Sequence, residues 1–358
     1  MSDAARAVER LWESTGLVAR LGRVLLTPAA GLYAAGIGMR NVAYGVGVLR
    51  SHAATVRTVS VGNVRVGGTG KTPFTRWLVG RIRERGVPVA IVSRGYGGDA
   101  REPHVVGDGV TLLGDVSRSG DEAVMLARTS GVPVVAGTDR AAAAELAVAT
   151  FGSRLLVCDD AFQHRALRRD LDLVLVDAGE RGGLRRLLPI GPLREPLRAL
   201  KRAHVILVSD RDDDGTVPEL AAHQRALRVR FAPRALVQPA ATGWEEIGLA
   251  ALAGQRVLAV SAVARPAPIY RALREWEAEL VHVLEYPDHH AYDQRDWQEI
   301  AGAAKDVDLI VTTEKDLVKL DVFPFARGKL LALRLGVDVE DGDDLVTQVI
   351  GDVTADPA

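Results

Sequence analysis

The sequence predicts an α/β protein in two parts: a mostly parallel sheet with helices on both faces, then a smaller C-terminal α/β domain. Three observations carry this. Short, continuously apolar runs alternate with helix-like segments, the pattern of strands covered on both faces. A glycine-rich loop joins one such run to a helical stretch. After Arg230-Phe231-Ala232-Pro233 the rhythm restarts. The boundary is placed there, giving 1–232 and 233–358, and 358 residues suit two domains of roughly 100–200 residues each.

The elements follow in order. Thr55 to Val61 is a β-branched strand, and the glycine-rich loop comes next. A helix is expected from Pro73 to Arg85, closed by Gly86-Val87-Pro88, before the buried strand Val89 to Val92. Further strands are expected at Val132–Ala136, Leu155–Cys158, Leu173–Val176 and Val205–Val208, with helices at Asp121–Thr129 and Arg140–Ala149. The second unit contributes strands at Arg256–Val260, Leu280–Leu284 and Leu309–Val311. No internal repeat is visible, and the acidic stretch Asp338 to Asp344 reads as a solvated face.

Composition narrows the function. Hydrophobic residues make up 47% and charged residues 25%, ordinary values for a chain that buries large cores. A net charge of −1 gives no basic excess for nucleic acid, although arginines cluster at Arg165–Arg169 and Arg181–Arg186. The single Cys158 excludes an intramolecular disulfide framework and fits a reducing compartment. Near the N-terminus, Leu25 to Met39 is uncharged but short for a membrane span. The acidic Asp3, Glu9 and Glu13 argue against an export signal. From composition, the stretch is either a buried amphipathic helix or one lying in a membrane interface with Arg20, Arg23, Arg40 and Arg50 near lipid phosphates, the first being favoured.

The loop Gly67-Gly68-Thr69-Gly70-Lys71-Thr72 carries the chemistry. The common phosphate loop has a glycine five positions before its last one, where this chain has Arg65. The rest is in register between strand and helix, so a P-loop NTPase-type sheet is expected. Gly67, Gly68 and Gly70 let backbone N–H groups approach phosphate, and Lys71 neutralises its outer oxygens. Thr72 suits Mg²⁺, and the helix N-terminus favours the anion. The bland alternative, a glycine-rich turn with an incidental lysine, does not account for strand, loop and helix falling in register. Thr312-Thr313-Glu314-Lys315-Asp316 resembles a guanine reader, but that motif separates its lysine and aspartate by one residue, so ATP is the expected nucleotide.

Leu155 to Asp160 is an apolar strand ending in two carboxylates, Asp159 and Asp160, placed as in phosphate-loop enzymes that hold Mg²⁺ there; the alternative is an Asp pair capping a turn. Transfer to an alcohol needs a proton acceptor, for which Asp121 and the His289-His290 pair are candidates. Taken alone, Asp121 reads as a helix N-cap and the histidines as an exposed pair without zinc-ligand spacing.

These blocks resemble the tetraacyldisaccharide 4′-kinase (lipid A 4′-kinase) family. The resemblance rests on Val61 to Pro73, Ser93 to Gly98, Gly120-Asp121-Glu122, Asp159 to His164, Leu188 to Pro196, Pro287 to Tyr292 and Thr313 to Asp316, in one order from about residue 20 to about 320. It implies ATP- and Mg²⁺-dependent phosphorylation of the 4′-hydroxyl of an acylated glucosamine disaccharide 1-phosphate, giving lipid IVA. It also implies a Gram-negative source, the cytoplasmic face of the inner membrane, and two lobes with the site between them. Carried onto this chain, Lys71 and Thr72 serve ATP and Mg²⁺, Asp121 is the base and His289 supports it. Asp159, Asp160 and Glu195 organise metal or substrate, while Asn63, Arg94 and Arg194 contact substrate or phosphate. The missing glycine at Arg65 becomes a family trait. Departures are Ala161 for a usual glycine, Ile190 for a usual alanine, and Val260–Pro266 where a glycine-containing turn is usual; they bear on loop shape. The resemblance shifts the N-terminal reading to an interfacial helix over about 17–50, with a peripheral membrane protein and no obligatory protein partner expected. The rival reading is a regulatory ATPase with a deviant P-loop acting on a protein partner. A nicotinamide oxidoreductase fails for want of a Gly-x-Gly-x-x-Gly after a strand.

Overall fold

The computed structural model describes residues 8, 11, 12, 14, 16–177, 186–209, 221–240, 243–323 and 328–353. Asp3, Glu9, Glu13 and the 181–185 part of the second arginine cluster lie outside them.

A long helix α1 (Leu17–Gly45) leads into β1 (Arg57–Asn63), and the phosphate loop connects β1 to α2 (Lys71–Glu84). Then come β2 (Val89–Ser93), β3 (His104–Asp108), α3 (Val116–Ser119), α4 (Asp121–Thr129), β4 (Pro133–Ala136), α5 (Arg140–Phe151) and β5 (Leu155–Asp159). β6 (Leu171–Asp177), β7 (Val205–Ser209), β8 (Arg225–Ala240) and β9 (Gly243–Ile247) cross the middle of the molecule. The last third holds β10 (Arg256–Ser261), α6 (Ala267–Glu275), β11 (Glu279–Glu285), α7 (Gln294–Ala303), β12 (Leu309–Thr313), α8 (Glu314–Leu320), β13 (Leu330–Val339) and α9 (Gly342–Ile350).

Among the described residues all strands join one sheet, in the order β11-β10-β12-β13-β8-β7-β6-β1-β5-β2-β4-β3, with β9 on β8. Pairing is parallel except for β3 with β4, β8 with β13 and β8 with β9. The expected strands are therefore present, and β2, β5 and β7 are buried along their whole length, as continuous Val/Leu/Ile runs require.

The expected boundary at 232/233 falls inside β8. Arg225–Val229 pairs with β7, Val229–Val237 with β13, and Leu236–Ala240 with β9, so one strand stitches both halves together. The chain also returns: Leu345, Val346 and Val349 of α9 pack in the same core as Val59, Phe74, Leu78 and Ile82. Arg57 Nε donates to the Val349 carbonyl at 2.8 Å. The second half keeps its own cores around Leu258, Ile310 and Leu317, and around Leu236, Leu252 and Leu331.

Helix α1 runs through Pro28 and presents two faces. One is tied to the body: Tyr33 Oη donates to the Arg194 carbonyl at 2.8 Å, Arg40 to the Gln163 carbonyl at 3.0 Å, and Asn41 Nδ2 to Glu195 at 2.8 Å. The other is an exposed apolar stripe of Leu17, Leu21, Val24, Leu25, Leu32, Met39 and Val42. Among the described residues no helix is long and apolar enough to cross a membrane.

Candidate active site

The phosphate loop, the Arg94–Gly98 loop and Asp159-Asp160 follow β1, β2 and β5, neighbouring parallel strands, so all three gather at one edge of the sheet. This is the edge where open α/β sheets bind ligands. Gly67 and Gly68 are exposed, and Gly70, at φ 87°, is the residue before the first turn of α2. A Cβ at Gly70 would collide with the Phe231 ring, so both backbone conformation and packing demand glycine. Thr69 is buried and its hydroxyl accepts from Asn63 Nδ2 at 2.8 Å. Arg65 needs no glycine. Its backbone bridges Leu193 in extended form, Val66 N–H donates to the Pro192 carbonyl at 2.9 Å, and Arg194 N–H donates to the Val64 carbonyl at 2.8 Å. The block before the loop is thus zipped to Leu188–Pro196.

At the end of β5 the two carboxylates part ways. Asp160, at φ 48°, lies 3.6 Å from Lys71 Nζ and takes both oxygens to Arg194, at 2.9 and 3.1 Å. Burial opposes its charge, but Lys71 and Arg194 outweigh that and hold its carboxyl below the ordinary range. Asp159 is buried and accepts from Thr75 Oγ1 at 2.8 Å. Burial, reinforced by the Glu122 and Asp160 charges, pushes it up to about 7. Thr72 is half-buried on the first turn of α2.

Asp121 opens α4, with Gly120 ahead of it at φ 79°. A Cβ there would strike the Tyr96 carbonyl, so the Arg94–Gly98 loop clamps the start of α4. The cap residue is therefore Gly120; the Asp121 side chain accepts from the Glu122 N–H at 2.9 Å and also reaches across to the last third of the chain. Its carboxylate lies 3.1 and 3.2 Å from His289 Nδ1 and 3.5 Å from Lys319 Nζ. Burial raises its pKa, yet the His289 hydrogen bond and the Lys315 and Lys319 charges win and bring it to about 2. His289, at φ 59°, touches the Tyr96 ring edge-on at 4.9 Å between centroids. His290 turns away: it bonds Asp296 at 2.7 Å and stacks on Tyr286 at 5.0 Å. Among the described residues no cluster of three metal-ligating side chains forms.

The remaining candidates separate. Glu195 is buried beneath α1, where Arg202 meets it at 2.6 and 3.1 Å and Gln163 Nε2 reaches it at 3.5 Å. Gln163 also donates to the Asn63 carbonyl at 2.7 Å, so Glu195 supports the loop from behind. Arg94 is exposed at the sheet edge.

The family model for tetraacyldisaccharide-1-P 4′-kinase matches residues 22–353. A tetraacyldisaccharide 4′-kinase of Anaeromyxobacter sp. (strain Fw109-5) is 42% identical over 355 residues, covering 95% of both chains. That of Syntrophus aciditrophicus (strain SB) is 39% identical over 332 residues, covering 87% of this chain and 88% of its own. The chain belongs to the tetraacyldisaccharide 4′-kinase family. A crystal structure of LpxK from Aquifex aeolicus, an "apo" form in complex with ATP, superposes with a TM-score of 0.78 at 28% identity, covering 92% of this chain and 98% of that one.

At position 161, where the family resemblance implies a glycine, the structure explains why alanine fits. The left-handed conformation is carried by Asp160, while Ala161 packs buried beside Leu156 and Leu167. In the 260–266 turn, the Ala262 N–H donates to Asp316 at 2.9 Å. Sequence reasoning passed over Thr75 and Lys319, and met Lys315 only within the Thr312–Asp316 pattern. Thr75 sits one helical turn beyond Thr72 on the inner side of α2, and Lys315 and Lys319 share one face of α8 at i, i+4 spacing, the signals that point to them.

Proposed function

We propose that this chain transfers the γ-phosphoryl group of ATP to the 4′-hydroxyl of a tetra-acylated glucosamine disaccharide 1-phosphate, with Asp121 receiving the hydroxyl proton. The observation that carries this reading is a phosphate loop beside a buried, ionised aspartate held by a histidine. A nucleotide switch needs the loop but no such acceptor, and the family assignment leaves the regulatory-ATPase alternative without support.

The Gly67–Gly70 N–H groups and Lys71 hold the β- and γ-phosphates, and an arriving phosphate competes with Asp160 for Lys71 and Arg194. Thr72, Asp159 and Asp160 are the residues that would hold Mg²⁺. They fit: all are hard oxygen donors, and Asp159 is a buried carboxylate crowded by two others, a position that a cation relieves. The sparse protein donor set also suits an ion that takes the rest of its shell from phosphates and water. When bound, Mg²⁺ supplies charge neutralisation on the transferring phosphoryl. Asp121, at about 2, is a weak base. That matches a loose transition state, in which the hydroxyl gives up its proton late and orientation matters more than basicity. Arg94 and Arg194 meet phosphate oxygens of ATP or lipid, Asn63 shapes the loop, and Glu195 braces that loop from behind through Gln163.

The lipid substrate and the apolar stripe of α1 belong together. An exposed row of Leu, Val and Met on a helix whose other face is bolted to the site suits insertion among lipid chains, and it supports reading the protein as peripheral to the cytoplasmic face of the inner membrane. Leu25→Asp is expected to weaken sedimentation with anionic phospholipid vesicles; unchanged partitioning counts against the insertion. The deciding assay for the reaction uses ATP and the purified lipid disaccharide. Wild type should phosphorylate the lipid and Asp121→Ala should not. Intact ATP hydrolysis without lipid phosphorylation by wild type would sink the kinase reading.

A further inference from the structure

His289 is engaged at both ring nitrogens. Nδ1 faces the Asp121 carboxylate at 3.1 and 3.2 Å, and Nε2 lies 3.0 Å from Lys315 Nζ. Lys315 is itself buried among acids, 3.1 Å from Asp288 and 3.5 Å from Glu122. Burial opposes its charge, but Glu122, Asp121 and Asp288 more than offset this and raise its pKa. An ammonium offers three donors and no acceptor. A ring nitrogen at hydrogen-bond distance from it therefore accepts, which leaves the ring proton on Nδ1, donated to Asp121. An imidazolium would put an N–H against the ammonium.

We propose that Lys315 is a positioning residue for phosphoryl transfer: it locks His289 in the neutral Nδ1–H tautomer, so that His289 orients Asp121 without taking a second proton. The catalytic half of this proposal rests on Asp121 being the base. The charged groups around the ring are Asp121 and Glu122 from α4, Asp288 from its own loop, and Lys315 and Lys319 from α8, with Asp316 holding Lys319 at 3.0 Å. Lys319 thus adds a second positive charge beside the pair. The left-handed backbone of His289 is a costly conformation for a non-glycine residue, and contacts at both nitrogens and at the Tyr96 ring hold it there.

The test is a long-range ¹H–¹⁵N correlation spectrum of protein labelled at histidine, with His289→Gln to assign the signal. Wild type should carry the proton on Nδ1. Lys315→Met should move His289 to the Nε2–H tautomer or the imidazolium and lower kcat roughly tenfold or more, with KM for ATP unchanged. Lys315→Arg, which still donates, should keep Nδ1–H and most of kcat. A wild-type His289 protonated on Nε2 overturns the proposal, as does a Lys315→Met enzyme with wild-type tautomer and kcat. If Lys315→Met fails to fold, the wild-type and Lys315→Arg spectra decide. A full-rate Asp121→Ala enzyme would remove the base assignment, and the catalytic half with it, whatever the tautomer.

Discussion

The phosphate loop and the Asp121 cluster are built in opposite ways. The loop is a run of consecutive residues at a single strand–helix junction, and its ligands are backbone N–H groups beside exposed Gly67 and Gly68. The Asp121 cluster draws side chains from α4, from the loop after β11 and from α8, segments far apart in the chain and buried where they meet. A local site keeps its shape as long as its own turn is intact. A composite site keeps its shape only while the elements carrying it stay docked. The two are joined by Glu314, the first residue of α8, which receives Arg76 of α2 at 2.7 Å on both oxygens and Arg334 of β13 at 2.7 Å.

Substitutions can separate the two constructions. Lys71→Ala removes the loop's one cationic side chain and is expected to cut kcat/KM by about 10³-fold or more, with little change in the urea midpoint. A large fall in stability would show that the Lys71–Asp160 contact at 3.6 Å is a structural support. Asp121→Asn should lower kcat by about 10²–10³-fold and leave ATP affinity alone. It should also change the acid limb of stability. The folded carboxyl lies near 2, below its ordinary value of 3.8, so its contribution is full above about pH 4 and is lost as pH falls through about 2. Wild type should therefore lose about 2 kcal/mol more than Asp121→Asn between pH 5 and 2 in urea titrations. Parallel curves would mean that Asp121 is no better solvated by its partners when folded than when unfolded.

Glu314→Gln tests the joint. It leaves the largely buried Arg76 without its counter-charge and Arg334 with Glu246 alone, which should cost about 3 kcal/mol. The loss should appear in the urea midpoint, with kcat reduced less than by Asp121→Asn. An unchanged midpoint would mean that β8 and the shared core hold the halves together without the ion pairs.

The same contrast explains what could be seen in the sequence. The strands flanking the site were legible because β1, β2 and β5 are covered on both faces and read as unbroken apolar runs. β8 was not, because it alternates Arg228 and Arg230 with Leu227 and Val229 and carries Pro233 and Pro239, which argue against a strand. The division at 232/233 followed from that. The loop was legible because its residues are contiguous. Asp121 and His289 were visible as candidates and, through the family resemblance, as partners, but spacing cannot give a contact across 168 positions. Lys315 drew attention for a nucleotide-reader pattern that its spacing fails, while its actual neighbours, His289, Asp288 and Glu122, exist only once α8 packs on α4.

The smallest effect comes from restoring what the family usually has beside the acidic pair. Ala161→Gly would help only if position 161 had the left-handed backbone, and that conformation belongs to Asp160 at φ 48°. Ala161 is instead 1% exposed among Leu156, Cys158 and Leu167, and its N–H bonds the Val61 carbonyl at 3.3 Å. Glycine would lose the buried methyl and gain freedom in the unfolded chain, each destabilising. The expected cost is about 1 kcal/mol in the urea midpoint, with kcat unchanged. A stabilised Ala161→Gly variant would mean that the turn after β5 prefers the family's glycine, and that the strain sits at 161 and not at Asp160.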